Sequence, residues 1–230
     1  MRKNLILGIV GPSASGKSSV VAALRRALGA RISVVACDDS YKPAARCPVV
    51  DLHALPWPLG RTPDAFVRRG CADMNHPDAI EWRDVAANLF RADAQSDAGD
   101  CVVIVEGLLL ASDHSGAARV RELCDVFVVL GVPPDDAAAQ EACWRRKWTR
   151  EHLGKQSYRT RGVDAADYRC YWERYVWPRW IEHGAESTAM TEIATATSTL
   201  QLRATDAPAQ SVARLVEWLD EQRGGARARQ

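Results

Sequence analysis

The chain has 230 residues, 47% of them hydrophobic and 26% charged, enough apolar material for the core of one α/β domain. Lysine and arginine total 30 against 29 acids, a formal net charge of +1, so charge favours neither a nucleic-acid nor a membrane partner. The 7 cysteines are odd in number and lack C-x-x-C spacing, which argues against a disulfide scaffold or zinc site and for a reduced, cytoplasmic protein.

Met1-Arg2-Lys3 before an apolar run imitates the start of a secretory signal, but the run is short for a signal core. No stretch approaches the ~20 apolar residues of a membrane span. The run Leu5-Ile6-Leu7-Gly8-Ile9-Val10 reads instead as a buried strand, and residues 19–28 as a helix. Between them lies Gly11-Pro12-Ser13-Ala14-Ser15-Gly16-Lys17-Ser18, a complete G-x-x-x-x-G-K-[ST] phosphate loop. A strand, a glycine-rich turn and a helix N-terminus together aim backbone N–H groups at a phosphate chain. This loop with Ser19 is therefore the predicted ATP site, Lys17 reaching the β/γ-phosphates and Ser18 ligating Mg²⁺.

Residues 32–37 form a second apolar run, closed by Asp38-Asp39, and Tyr41 just beyond is a candidate to stack on a planar base. Residues 42–77 are rich in Pro, Gly and Arg without a period, a length of loop that is usually functional. Residues 78–94 have helical spacing, with Ile80, Val85, Leu89 and Phe90 on one side. The run Val102-Val103-Ile104-Val105 is a strand ending in Glu106, a Walker-B pattern with Glu for Asp. Ligands of parallel sheets gather at the carboxyl ends of strands, so Glu106 and Asp38 should both approach the phosphate loop. One of the two acids would hold Mg²⁺ or its water while the other accepts a proton from an attacking hydroxyl. Either could instead cap a turn.

A fourth strand over 125–132 ends at Pro133-Pro134, and a helix should follow over 135–150. That helix carries Arg145-Arg146-Lys147 and Arg150, cations that a phosphoryl-transfer lid needs. Residues 165–183 look helical but broken at Trp177-Pro178. Their aromatics at helical spacing are core-like. A last strand over 199–203 and an amphipathic helix over 211–223 precede a small basic tail, 224–230, predicted to be disordered. The fold class is therefore α/β: a P-loop NTPase fold in one domain, 1–223, with about five parallel strands, helices on both faces and a helical lid near 135–183.

Together these motifs resemble the uridine kinase–like P-loop kinases, and among them the nicotinamide riboside kinases, over nearly the whole chain. Asp38-Asp39-Ser40-Tyr41-Lys42 resembles that family's D-D-F-F-K segment, and Val105-Glu106-Gly107-Leu108-Leu109-Leu110 its V-E-G-F-L-L segment. The basic stretch matches C-x-R-R-x-x-T-R, and Val176-Trp177-Pro178 matches an uncommon V-W-P. The resemblance implies ATP and Mg²⁺ as cofactors and a small-molecule nucleoside as acceptor. It implies Asp38 as base and metal contact, Ser18 and Glu106 as further metal contacts, and Asp39, Tyr41 and Lys147 at the acceptor. It also implies Arg146 and Arg150 facing ATP, with Arg203 and Thr205 near the adenine.

The chain departs from the pattern in places. Met74-Asn75 stands where the family has an aromatic-Asp pair for the ribose hydroxyls, and His152 where a stacking Tyr is usual. His76-Pro77-Asp78-Ala79 looks more like uridine kinases, so a uridine/cytidine kinase is the alternative acceptor reading. A nucleotide-binding regulator without chemistry is the reading of another class. Retention of Lys17, Ser18, Asp38 and Glu106 argues against it.

Overall fold

The computed structural model describes residues 4–57, 72–96, 101–133, 135–154, 163–196 and 198–227. Met1-Arg2-Lys3, residues 58–71 of the long loop, Cys71 among them, and Pro134 lie outside the described residues. The strands are β1 (Leu5–Val10), β2 (Ile32–Ala36), β3 (Val102–Gly107), β4 (Val126–Gly131) and β5 (Thr199–Arg203). The helices are α1 (Lys17–Leu28), α2 (Trp82–Gln95), α3 (Ser115–Arg121), α4 (Ala137–Thr149), α5 (Ala165–Tyr171), α6 (Trp177–Trp180), α7 (Thr188–Thr195) and α8 (Pro208–Arg227).

The strands form one sheet in the order β2-β3-β1-β4-β5, and every neighbouring pair is parallel. Side chains alternate between its faces, so a strand buried on both sides must be apolar throughout. Leu7, Ile9, Ile104 and Val128 pack on one face with Val20, Val21 and Leu24 of α1 and with Leu215 and Leu219 of α8. Ile6, Val10, Val103, Val105 and Val129 share the other with Val85 and Leu89 of α2 and the aromatics Trp172, Trp177 and Trp180. The tryptophan-rich stretch is core, as its spacing suggests.

Several local expectations are corrected. The helix expected from residue 78 begins at Trp82, because Pro77–Ala79 first makes a tight turn in which the His76 ring accepts the Asp78 N–H at 3.1 Å. Phe90 is 56% exposed, because it lies ~100° of helix rotation beyond Leu89 and leaves the buried face. No break occurs at Trp177-Pro178. Helical backbone runs from Ala165 to Ala185, and the wide turn Trp172–Val176 carries the Trp177 N–H to the Trp172 carbonyl, five residues back. A widened turn absorbs the misfit of a proline that cannot donate. Finally, α8 runs to Arg227, so the start of the expected tail is helix, since extending a helix is easier than nucleating one.

Among the described residues no helix is long and apolar enough to cross a membrane. Cys37, Cys47, Cys101 and Cys143 are free thiols.

Candidate active site

The phosphate loop leaves the carboxyl end of β1, the central strand, and enters α1 at Lys17. Glycine is required twice. A Cβ at Gly11 would stand 2.8 Å from the Leu130 carbonyl, and Gly16 has φ 106°. Ala14 also takes a left-handed conformation, φ 61°, which costs roughly 1–2 kcal/mol for a residue with a Cβ. Helix α1 has no side-chain N-cap and no acid in its first turn. Its first N–H groups are thus available to an anion, and Gly16, Lys17, Ser18 and Ser19 all line one cavity of about 840 Å³. Lys17 Nζ donates to the carbonyls of Gly11 at 2.9 Å and Pro12 at 2.8 Å, which folds the ammonium over the loop.

The two predicted acids meet there. Asp38 follows β2, Glu106 ends β3, and both line the cavity with Ser13, Ala14 and Ser18. Ser18 Oγ donates to Glu106 Oε2 at 3.2 Å. Burial pushes the Glu106 carboxyl above the ordinary carboxylate range, while the Lys17 ammonium and the Ser18 hydroxyl pull it back. Burial lowers Lys17 from the usual lysine value, opposed by the negative charges of Asp38 and Glu106. The segment carrying Asp38 is fixed by the turn before α2: Lys42 N–H donates to Ala79 O, and Glu81 N–H to Ser40 O, each at 2.8 Å.

These residues fit a hydrated Mg²⁺ carried in with nucleotide. Among the described residues no group of three or more His, Cys, Asp or Glu could form a protein cage for a metal. A hydroxyl with one or two carboxylates is the donor set of a Mg²⁺ that takes its remaining oxygens from phosphates and water.

Helix α4 and the turn after it supply the cations. Arg146 Nη1 donates to Ala204 O at 2.7 Å and to Ser15 O at 3.5 Å, joining the loop after β5 to the phosphate loop. Arg146, Lys147 and Arg150 line the cavity. Arg145 points elsewhere, onto Glu141 at 2.6 Å. If the cavity takes ATP, Arg146→Ala should raise the KM for ATP roughly tenfold, ~1.4 kcal/mol, with a smaller effect on the KM of any co-substrate. Initial rates at varied ATP check this, and an unchanged ATP KM would leave Arg146 only a loop fastener.

Tyr41, Met74, Asn75 and Lys147, which the sequence reading assigns to the acceptor, line the same cavity. Other candidates do not. Asp39 is exposed and outside the lining. His152 stacks on Trp148, ring centroids 4.1 Å apart, because that aromatic surface is a nearer partner than the cavity. Arg203 and Thr205 are exposed, and only the Ala204 carbonyl between them reaches the site, through Arg146.

Other residues were not foreseen. Glu151, 7% exposed, lines the cavity and pairs with Lys147 at 3.3 Å and Arg150 at 3.5 Å. Tyr168, Tyr171 and Tyr175 form an aromatic wall. Behind it Asp73, 1% exposed, accepts from the Tyr175 hydroxyl and pairs with Arg179 at 3.0 Å. A buried carboxylate needs such partners. The adjacency of Glu151 to Arg150 was a weak clue, whereas nothing local marked Asp73.

This sheet order, with a phosphate loop after the central strand, Glu106 near the end of the adjacent β3 and Asp38 just after the edge strand β2, is a P-loop NTPase fold. A gluconokinase from Sinorhizobium meliloti 1021 shares it, with a TM-score of 0.51 and 16% identity over 99% of this chain and 98% of that one. A Thermus thermophilus protein shares it as well, with a TM-score of 0.50 and 18% identity over 96% and 98% of the two chains. No protein-family model and no curated protein matches the chain.

Proposed function

We propose that the protein is an ATP- and Mg²⁺-dependent kinase that phosphorylates the 5′-hydroxyl of a ribonucleoside, with nicotinamide riboside as first acceptor. One observation carries this reading. A single cavity runs from the phosphate loop past Asp38 to Tyr41, Met74 and Asn75, so a phosphate donor and a base-bearing acceptor can lie end to end. The Asp39 and Val176-Trp177-Pro178 resemblances support nicotinamide riboside, while His76-Pro77-Asp78-Ala79 supports uridine or cytidine as the second reading.

In this reading the N–H groups at Gly16–Ser19 and the Lys17 ammonium bind the phosphates. Ser18, Glu106 and Asp38 would hold Mg²⁺, which when bound would neutralise charge on the phosphate oxygens. Asp38 accepts the proton of the acceptor hydroxyl and orients it. Arg146 and Arg150 close over the phosphates and stabilise the charge that spreads over the transferring group. Tyr41 supplies a flat apolar face for the base. Burial and the Asp38 charge both hold its phenol neutral.

A panel of nicotinamide riboside, uridine, cytidine and gluconate, at fixed ATP and Mg²⁺, tests the acceptor through kcat/KM. Nicotinamide riboside is expected to lead. A lead for uridine or cytidine moves the protein to the second reading, and a lead for gluconate removes the nucleoside reading.

A further inference from the structure

Asp73 is the most completely buried acid of the site, yet it does not line the cavity. Its Oδ2 pairs with Arg179 Nη2 at 3.0 Å, and Arg179 is itself steadied by Glu182 at 2.6 Å. Its Oδ1 accepts two hydrogen bonds, from the Asn75 backbone N–H at 3.0 Å and from the Tyr175 hydroxyl. Tyr175 and Asn75 both belong to the cavity wall. The Tyr175 hydroxyl therefore sits between a charge behind the wall and the space in front of it.

A phenol has one proton and two lone pairs. Here the proton is committed to Asp73, so the hydroxyl can offer the cavity only an acceptor. Burial and the Asp73 carboxylate both keep Tyr175 protonated, and the Asn75 amide acts on it in the opposite sense, as an N–H donor does. The network also gives a reason for an amide at position 75. A carboxylate there would add a second negative charge beside buried Asp73, whereas an amide can donate toward the tyrosine oxygen.

We propose that Asp73 is a positioning residue for the acceptor. By taking the Tyr175 proton while Arg179 holds its other oxygen, it presents Tyr175 Oη and Asn75 as a hydrogen-bond-accepting patch for a substrate hydroxyl. The patch selects acceptors that carry this hydroxyl over analogues that lack it. The proposal rests on the nucleoside-kinase reading and names the device that would read the sugar.

The experiment uses the ribonucleoside that the wild type turns over best, with its 2′-deoxy and 3′-deoxy analogues. Wild type should favour the ribonucleoside over at least one analogue by roughly tenfold in kcat/KM, the upper range for one neutral hydrogen bond. Tyr175→Phe preserves shape and should raise the ribonucleoside KM by roughly the same factor. It should leave that analogue's KM and both kcat values near wild type. Asp73→Asn should move the ribonucleoside KM the same way with kcat retained, because its one oxygen turns to the Arg179 guanidinium and its NH₂ then faces Tyr175, whose proton is no longer committed behind the wall. A purely structural role would shift ribo and deoxy substrates together and lower Tm, an outcome that overturns the proposal. Wild-type discrimination that persists in Tyr175→Phe, or is absent from the start, overturns it too. If Asp73→Asn does not fold, the isosteric Tyr175→Phe still decides. No turnover of any nucleoside by wild type removes the underlying reading and this proposal with it, a result distinct from turnover without discrimination.

Discussion

Asp38→Asn is expected to lower kcat by ~10²–10⁴ while leaving ATP affinity nearly unchanged. The substitution keeps size and hydrogen-bonding capacity but removes the carboxylate that would take the acceptor proton. Its place supports the asymmetry. Asp38 follows β2, on a segment hydrogen-bonded to the turn before α2 and separate from the loop after β1 that carries the backbone N–H groups. Pre-steady-state turnover and equilibrium binding of an ATP analogue separate the two quantities. Near wild-type kcat would move the base to another group. A raised Mg²⁺ requirement with kcat restored at high metal would assign Asp38 to the metal alone.

Lys17→Ala should differ in kind, weakening ATP binding and turnover together. Lys17 Nζ lies against the carbonyls of Gly11 and Pro12, inside the loop that would wrap the phosphates, and it senses the charges of both Asp38 and Glu106. Removing one preorganised charge of this kind costs ~10²–10³ in kcat. The KM for ATP should rise as well, because in the proposed reading the ammonium would contact the ground-state phosphates. A variant that lost turnover but bound ATP normally would show that Lys17 acts only in the transition state. The contrast between the two variants matters more than either number.

Much of the frame was legible because its signals are contiguous. The phosphate loop, the apolar runs of β1 to β4 and Glu106 at the end of β3 each occupy a few adjacent residues, and parallel-sheet geometry then brings them together. Asp38 was legible for the same reason, as the acid that closes a strand. The aromatic wall of the cavity was not. The Asp73–Tyr175 hydrogen bond joins residues 102 positions apart, and Asp73 lies in a loop without periodicity. Composition cannot distinguish a solvated loop acid from a buried one. The same limit explains His152 and Asp39, placed by analogy with a motif, whose side chains instead answer to a neighbouring Trp148 ring and to solvent. Pro178 misled in another way. A proline predicts a break only where the helix keeps its regular turn, and here the turn before it widens.

The central claim is transfer of a phosphoryl group from ATP to a nucleoside 5′-hydroxyl, and the product tests it most directly. Wild type should be incubated with ATP, Mg²⁺ and each nucleoside of the panel, and the product followed by phosphorus NMR with proton coupling. The account predicts ADP formed only when a nucleoside is present, in equal amount to a new phosphomonoester whose phosphorus couples to the two protons at C5′. ADP formed without dependence on an acceptor, a phosphate carried on another hydroxyl, or ATP bound with no turnover of any nucleoside would contradict it.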